Sequence, residues 1–164
     1  MDNRMLLRLT GACAVAGGAL RIADTFAAGA MDQRTLQLLY FATDVFLLFG
    51  LLGFYRLQAK ELGSLGTLGF VVALIGLLMV RSSALFDYAS GAAVWLFGLA
   101  ALSIAMLMRT TRRVAPILWL LSLASAIMGA LVPSAAWTIA VAGITFGAGF
   151  IVAGMYLLKA PRES

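Results

Sequence analysis

Apolar residues in this chain do not alternate with polar ones. They come in unbroken blocks of about 17–23 residues, set apart by short charged patches. A block of that length reads as a bilayer-crossing helix, since about 20 residues rising 1.5 Å each cover the hydrocarbon core. Six blocks meet the criterion, at about 6–26, 35–55, 62–84, 92–108, 114–131 and 136–158. The expected fold class is therefore all-α: an integral membrane bundle of six transmembrane helices. Pro116 sits near the start of the fifth block, where its missing N–H does no harm, and Val132-Pro133-Ser134 reads as a tight turn. Lys159 and Pro161 close the sixth block. No linker or low-complexity stretch is long enough to divide the chain, so residues 1–164 are expected to form one domain.

Composition agrees with the pattern. The chain is 63% hydrophobic and 12% charged, too little polar surface to clothe a soluble core. A cleaved leader is the competing reading of the first block. Arg4 and Arg8 head a short apolar run, and Ala28-Gly29-Ala30 resembles a small-residue cleavage site. Arg21 and Asp24 fall between run and cut, where a leader tolerates them poorly, so an uncleaved span is expected.

The net charge of +5 is no nucleic-acid signal, because the basic residues flank apolar blocks instead of forming a stripe interleaved with aromatics. They fix orientation instead. With six spans and the N-terminus inside, nine of the twelve Lys and Arg fall on the cytoplasmic side: Arg4, Arg8, Arg56, Lys60, Arg109, Arg112, Arg113, Lys159 and Arg162. Arg21, Arg34 and Arg81 fall on the other side. Both termini are expected in the cytoplasm. Trp95, Trp137 and Tyr88 then sit as interfacial anchors at the outer ends, with Tyr55 and Tyr156 at the inner ends.

The chain has no histidine and one cysteine, Cys13. Histidine-ligated haem, His-based acid–base chemistry and an internal disulfide are thereby excluded, and no metal or cofactor site is expected. Gly63–Gly69, GSLGTLG, lacks the Lys-Ser/Thr ending of a phosphate loop.

The candidate chemistry centres on Asp44, near the middle of the second block. A carboxylate there costs about 2.5–3.5 kcal/mol on insertion scales, so it needs a partner or a function. Gln37, Tyr40 and Asp44 share one helix face by i, i+3, i+7 spacing, and that stripe is expected to point into the bundle. Arg21 and Asp24 lie near the outer end of the first block, and Arg81 near that of the third, with Asp87 just beyond. A polar site built from Asp44, Arg21, Asp24, Gln37, Tyr40 and Arg81 follows, with Arg21 or Arg81 as the partner of Asp44. The inner-side cluster Arg109, Arg112 and Arg113 is a candidate contact for anionic lipid.

Small-xxx-small faces recur at Ala14/Gly18, Gly69/Ala73, Ser125/Gly129 and Gly143/Gly147. They allow close helix approach, within the bundle or against a second copy. An offset of 80 residues lays Gly69–Ala73 over Gly149–Ala153, Gly11 over Gly91 and Gly18 over Gly98. That register would make two inverted three-helix halves, although a chain this rich in Gly, Ala and Leu matches itself easily.

The stretch Leu38–Phe70 contains L-L-Y-x-x-x-D, then G-L-x-G-x-Y, a short charged turn, and L-G-x-x-G-F. In this it resembles a group of small, uncharacterised polytopic bacterial inner-membrane proteins. The resemblance implies a bacterial inner-membrane location and nothing about a substrate. No paired carboxylates or nucleophile–base arrangement supports an enzyme. Two functions are expected to compete: an accessory or structural membrane protein held by an Asp–Arg pair, and a small carrier, channel or solute-binding protein using Asp44. A topology reporter fused after Lys159 should read cytoplasmic; a periplasmic signal there contradicts the charge argument.

Overall fold

The computed structural model describes residues 3–27, 31–82, 85, 87–132, 134 and 137–160. Ala28–Ala30, Ala84, Pro133, Ala136, Pro161 and Arg162, which enter the expectations above, lie outside the described residues. The described elements are all helical: α1 (Asn3–Ala27), α2 (Gln33–Arg81), α3 (Tyr88–Arg109), α4 (Val114–Leu131) and α5 (Trp137–Leu158). All five are long and apolar enough to cross a membrane.

The difference from six separate blocks lies in α2, whose 49 residues run through Gly63 at φ 62°, ψ −166°. If α2 were straight, Asp44 and Arg81, 37 residues apart, would be about 55 Å from each other. They instead form an ion pair. The Tyr55 and Phe70 rings stack 4.0 Å apart, and Tyr55 Oη lies 3.0 Å from Thr67 Oγ1. The Asp44–Arg81 and Tyr55–Phe70 pairs are both centred on the Leu62–Gly63 peptide. Thus α2 is two antiparallel limbs folded back at Gly63.

The reversal comes later than sequence suggests. Residues 56–61 were expected to form the turn, but they are helical. Arg, Leu, Gln, Ala, Lys and Glu are all strong helix formers, and Arg56, Lys60 and Glu61 keep their charges exposed. The chain turns only where glycine permits a backbone region almost closed to other residues. The Arg109 guanidinium covers this point, with Nη1 2.6 Å from where a Cβ would stand on Gly63.

Around this hairpin the helices close a ring: α1, the two limbs of α2, α3, α4, α5 and back to α1. Small residues set the spacing. The α1 stripe Thr10, Ala14, Gly17, Arg21, Asp24 repeats every three or four residues and faces α2. A Cβ on Gly50 would stand 2.7 Å from Ala14 Cα, which shows how closely the backbones approach. On another face, Gly11 and Gly18 meet Gly154 and Gly147 of α5. Gly91 and Gly98 of α3 do the same work against Val80 and Ala73 of α2. Glycines 80 residues apart in sequence thus serve matching interfaces, α1–α5 and α3–α2. Of the two uses open to the small-xxx-small faces, packing within the bundle is the one seen at Gly18, Gly69, Gly129, Gly143 and Gly147.

Inside the ring, Phe54 meets Trp119 edge-on, and Trp119 and Phe146 both pack on Phe150. Trp95, expected to anchor the helix at an interface, packs edge-on against Phe146 with its indole N–H buried. Close contact of Gly76 with the Trp95 backbone holds the residue there. The outward faces of Leu38, Phe41, Leu78, Phe97 and Ile139 are apolar and exposed, as a lipid-facing surface requires.

Replacing Gly63 by Ala should destabilise the protein by about 1–3 kcal/mol, the cost of a non-glycine residue in this backbone region. Thermal unfolding in detergent measures it. Ser64→Ala, at the exposed neighbouring position, should fall within about 0.5 kcal/mol of the parent. Equal behaviour of the two variants would mean that Gly63 does not make the bend.

Candidate functional site

Asp44, Arg81, Arg21 and Asp24 gather at the end of the bundle opposite Gly63. There α1 ends, α2 begins and ends, and α3 begins. Asp44 lies on the first limb of α2 and Arg81 in the last turn of the second; Arg81 Nε and Nη2 both reach Asp44 Oδ2. The Asp44 side chain is 15% exposed and that of Arg81 36%, so the carboxylate is sheltered while the guanidinium stays partly exposed. The hairpin at Gly63 makes the pair: it returns the second limb to the level of Asp44.

Arg21 takes a different partner. On α1, Arg21 Nη1 lies 3.4 Å from Asp24 Oδ1, an i, i+3 pair on the face turned to α2. Its guanidinium also lies 5.9 Å from the centre of the Phe146 ring, a cation–π contact that carries the charge across to α5. The Asp24 side chain is fully buried. Its polar neighbours across the interface are Thr43 and Asp44. Asp24 Oδ2 and Thr43 Oγ1 are both buried and neither has a well-aligned hydrogen bond. The two pairs form one cluster of two carboxylates and two guanidiniums, balanced in charge.

Of the expected site residues, Asp44, Arg81, Arg21 and Asp24 are brought together. Gln37 is not: it is exposed, and Tyr40 is half-buried. Gln37 lies in the second turn of α2, so the end of the helix lets it reach a polar boundary without pointing inward. Sequence reasoning missed Thr43. The signal was available in the Arg21/Asp24 stripe on α1, whose three-to-four spacing faces α2. Buried polar groups also lie nearer the Gly63 end, where Gln58, Ser103 Oγ and Trp119 Nε1 have no hydrogen-bond partner among the described residues.

Two further carboxylates stand at the rim as helix caps. Asp32 accepts from Arg34 N and Thr35 N, each at 3.1 Å, and from Thr35 Oγ1 at 2.5 Å. Asp87, just beyond Arg81, caps α3, accepting from Ser90 N at 2.8 Å and Ser90 Oγ at 2.6 Å. The hydroxyl and then the backbone N–H of Thr35 hold the Asp32 carboxyl below its ordinary range. Those of Ser90 do the same for Asp87.

The basic residues near the Gly63 end are partly engaged within the protein. Arg109 lies over Gly63, and the Arg112 guanidinium sits 6.0 Å from the centre of the Tyr156 ring. Arg113 immediately precedes α4 without a side-chain capping bond. Among the described residues, no group of three or more Cys, Asp or Glu side chains is placed to hold a metal ion.

These features define the class: an all-helical protein with membrane-length helices and a paired-charge cluster at one end of its bundle. No family model matches the chain, and no curated protein or solved structure shows significant similarity to it.

Because both capping carboxylates have lowered pKa values when folded, their contribution is present above the ordinary carboxylate pKa of about 3.9. It is lost as pH falls through the lower folded values. Stability should therefore drop with acidification below about pH 4, and the joint Asp32→Asn, Asp87→Asn variant should show a shallower drop, since Asn caps without titrating. Unfolding followed from pH 5 to pH 2 reads the slope; an unchanged slope removes the caps as its source.

Proposed function

We propose that this chain is a bacterial inner-membrane protein of six spans with both termini cytoplasmic. The two limbs of α2 count as separate spans in this reading. Its function is that of a small accessory or structural membrane protein, with no catalysis and no transport of its own. The charge balance of the cluster carries the reading. Asp44 is matched by Arg81 and Asp24 by Arg21, which leaves no net charge to recruit an ionic solute. The folding-back at Gly63 supports six spans, because it gives α2 two membrane-length limbs and places the basic residues Arg56, Lys60 and Arg109 at one end. The bilayer is the partner that the exposed apolar faces require.

A carrier or solute-binding function is the second reading. The buried Asp24 Oδ2 and Thr43 Oγ1 favour it, since two adjacent polar atoms without a well-aligned hydrogen bond are a place for a ligand to bind.

A double-mutant cycle decides. In detergent, Asp44→Asn and Arg81→Gln should each lower the melting temperature, with a coupling of about 1–3 kcal/mol, between the values for surface and buried pairs. Exchanging the charges, Asp44→Arg with Arg81→Asp, should recover part of the loss. If Asp44→Asn leaves stability intact and instead abolishes ion- or solute-dependent stabilisation, the cluster is a binding site and the structural reading fails.

A further inference from the structure

An open groove lies at the other end of α1 from the charge cluster. It has a volume of about 450 Å³ and is lined by Arg4, Met5, Arg8 and Leu9. A narrower cleft adjoins it, where Arg4, Leu7 and Arg8 meet Leu157, Leu158 and Ala160 at the end of α5. The two arginines border both spaces. Their i, i+4 spacing puts them on one face of α1, about 6 Å apart along the axis, a separation at which two guanidiniums can share one phosphate group.

Beside the charges the surface is apolar and uncovered: Met5 is 63% exposed, Leu9 56% and Leu158 43%. Two cations beside an oily strip at the end of a membrane-length helix match a molecule with an anionic head and a hydrocarbon tail. A soluble anion would use the arginines and leave Met5 and Leu9 bare. A protein partner would need a wider face than these few residues offer.

We propose that this groove binds one anionic phospholipid, its phosphate held between Arg4 and Arg8 and an acyl chain lying along Met5 and Leu9. Binding itself does not depend on which way the protein faces. That the lipid belongs to the cytoplasmic leaflet rests on the topology given under Proposed function. Occupancy would tie the start of α1 to the end of α5 at the interface that Gly11 and Gly154 bring close.

Native mass spectrometry of the purified full chain, titrated with dioleoylphosphatidylglycerol or dioleoylphosphatidylcholine, tests the site. One phosphatidylglycerol should bind at least tenfold more tightly than phosphatidylcholine. The joint Arg4→Gln, Arg8→Gln variant should lose that preference, while joint Arg112→Gln, Arg113→Gln keeps it. Inorganic phosphate at equal concentration should not compete. Should the double variant fail to fold, Arg8→Gln alone must weaken phosphatidylglycerol binding and Leu9→Gln must weaken both lipids. Equal binding of the two lipids, an undiminished preference in the Arg4/Arg8 variants, or displacement by phosphate overturns the proposal. Because the assay uses detergent-solubilised protein, a wrong orientation would leave its result unchanged and would appear only in the reporter fusion.

Discussion

A carboxylate deep in a membrane-length helix constrains everything around it. Asp44 cannot face hydrocarbon as a bare charge, and the nearest cation along its own helix is too far to reach it. The structure meets the demand by folding α2 back on itself, so that Arg81, 37 residues later, stands beside Asp44. That one pairing requires a reversal at the midpoint, and the reversal requires glycine at 63. It also sets the register of the two limbs, which Tyr55 stacked on Phe70 repeats nearer the bend. A shift of one turn between the limbs would leave the aspartate unpaired at a cost of several kcal/mol.

Packing of the remaining helices follows from small side chains more than from charge. Hydrophobic burial gives helices little reason to associate among lipid tails, so close backbone approach and van der Waals contact must do it. Gly11, Gly18, Gly147 and Gly154 serve that purpose between α1 and α5, and Gly69, Gly76, Gly91 and Gly98 between α2 and α3. The consequence for the charge cluster is direct. Once Ala14 and Gly17 bring α1 against α2, Arg21 and Asp24 continue the same stripe and have to lie near Thr43 and Asp44.

The all-helical class and the importance of Asp44 were legible in the sequence because both rest on one-dimensional facts: long apolar blocks, and a charge inside one. Arg81 emerged as a candidate partner from depth alone, but depth does not distinguish it from Arg21. Only the azimuth of each helix does, and that is set by which face carries Ala14, Gly17 and Gly50. Gln37 was misjudged for a related reason. Its spacing from Asp44 gave the face correctly, while its place near the helix end freed it from having to be buried. The charges of stretch 56–61 have the look of a turn, whereas its strong helix formers carry the helix beyond the apolar block to Gly63. Trp95 likewise had the composition of an interfacial anchor and the packing of a core residue.

The central claim is that α2 is a hairpin bent at Gly63 which carries Arg81 back to Asp44. A distance across that bend tests it with least interpretation. Spin labels at Phe41 and Leu78, exposed to 60% and 63%, in a Cys13→Ala background avoid both the pair and the core. Pulsed dipolar spectroscopy on the labelled protein in nanodiscs should give one narrow distribution near 15–25 Å, roughly the separation expected of neighbouring antiparallel helices plus the label arms. A distribution centred near 55 Å, roughly the length of an unbroken helix over those 37 residues, would contradict the account.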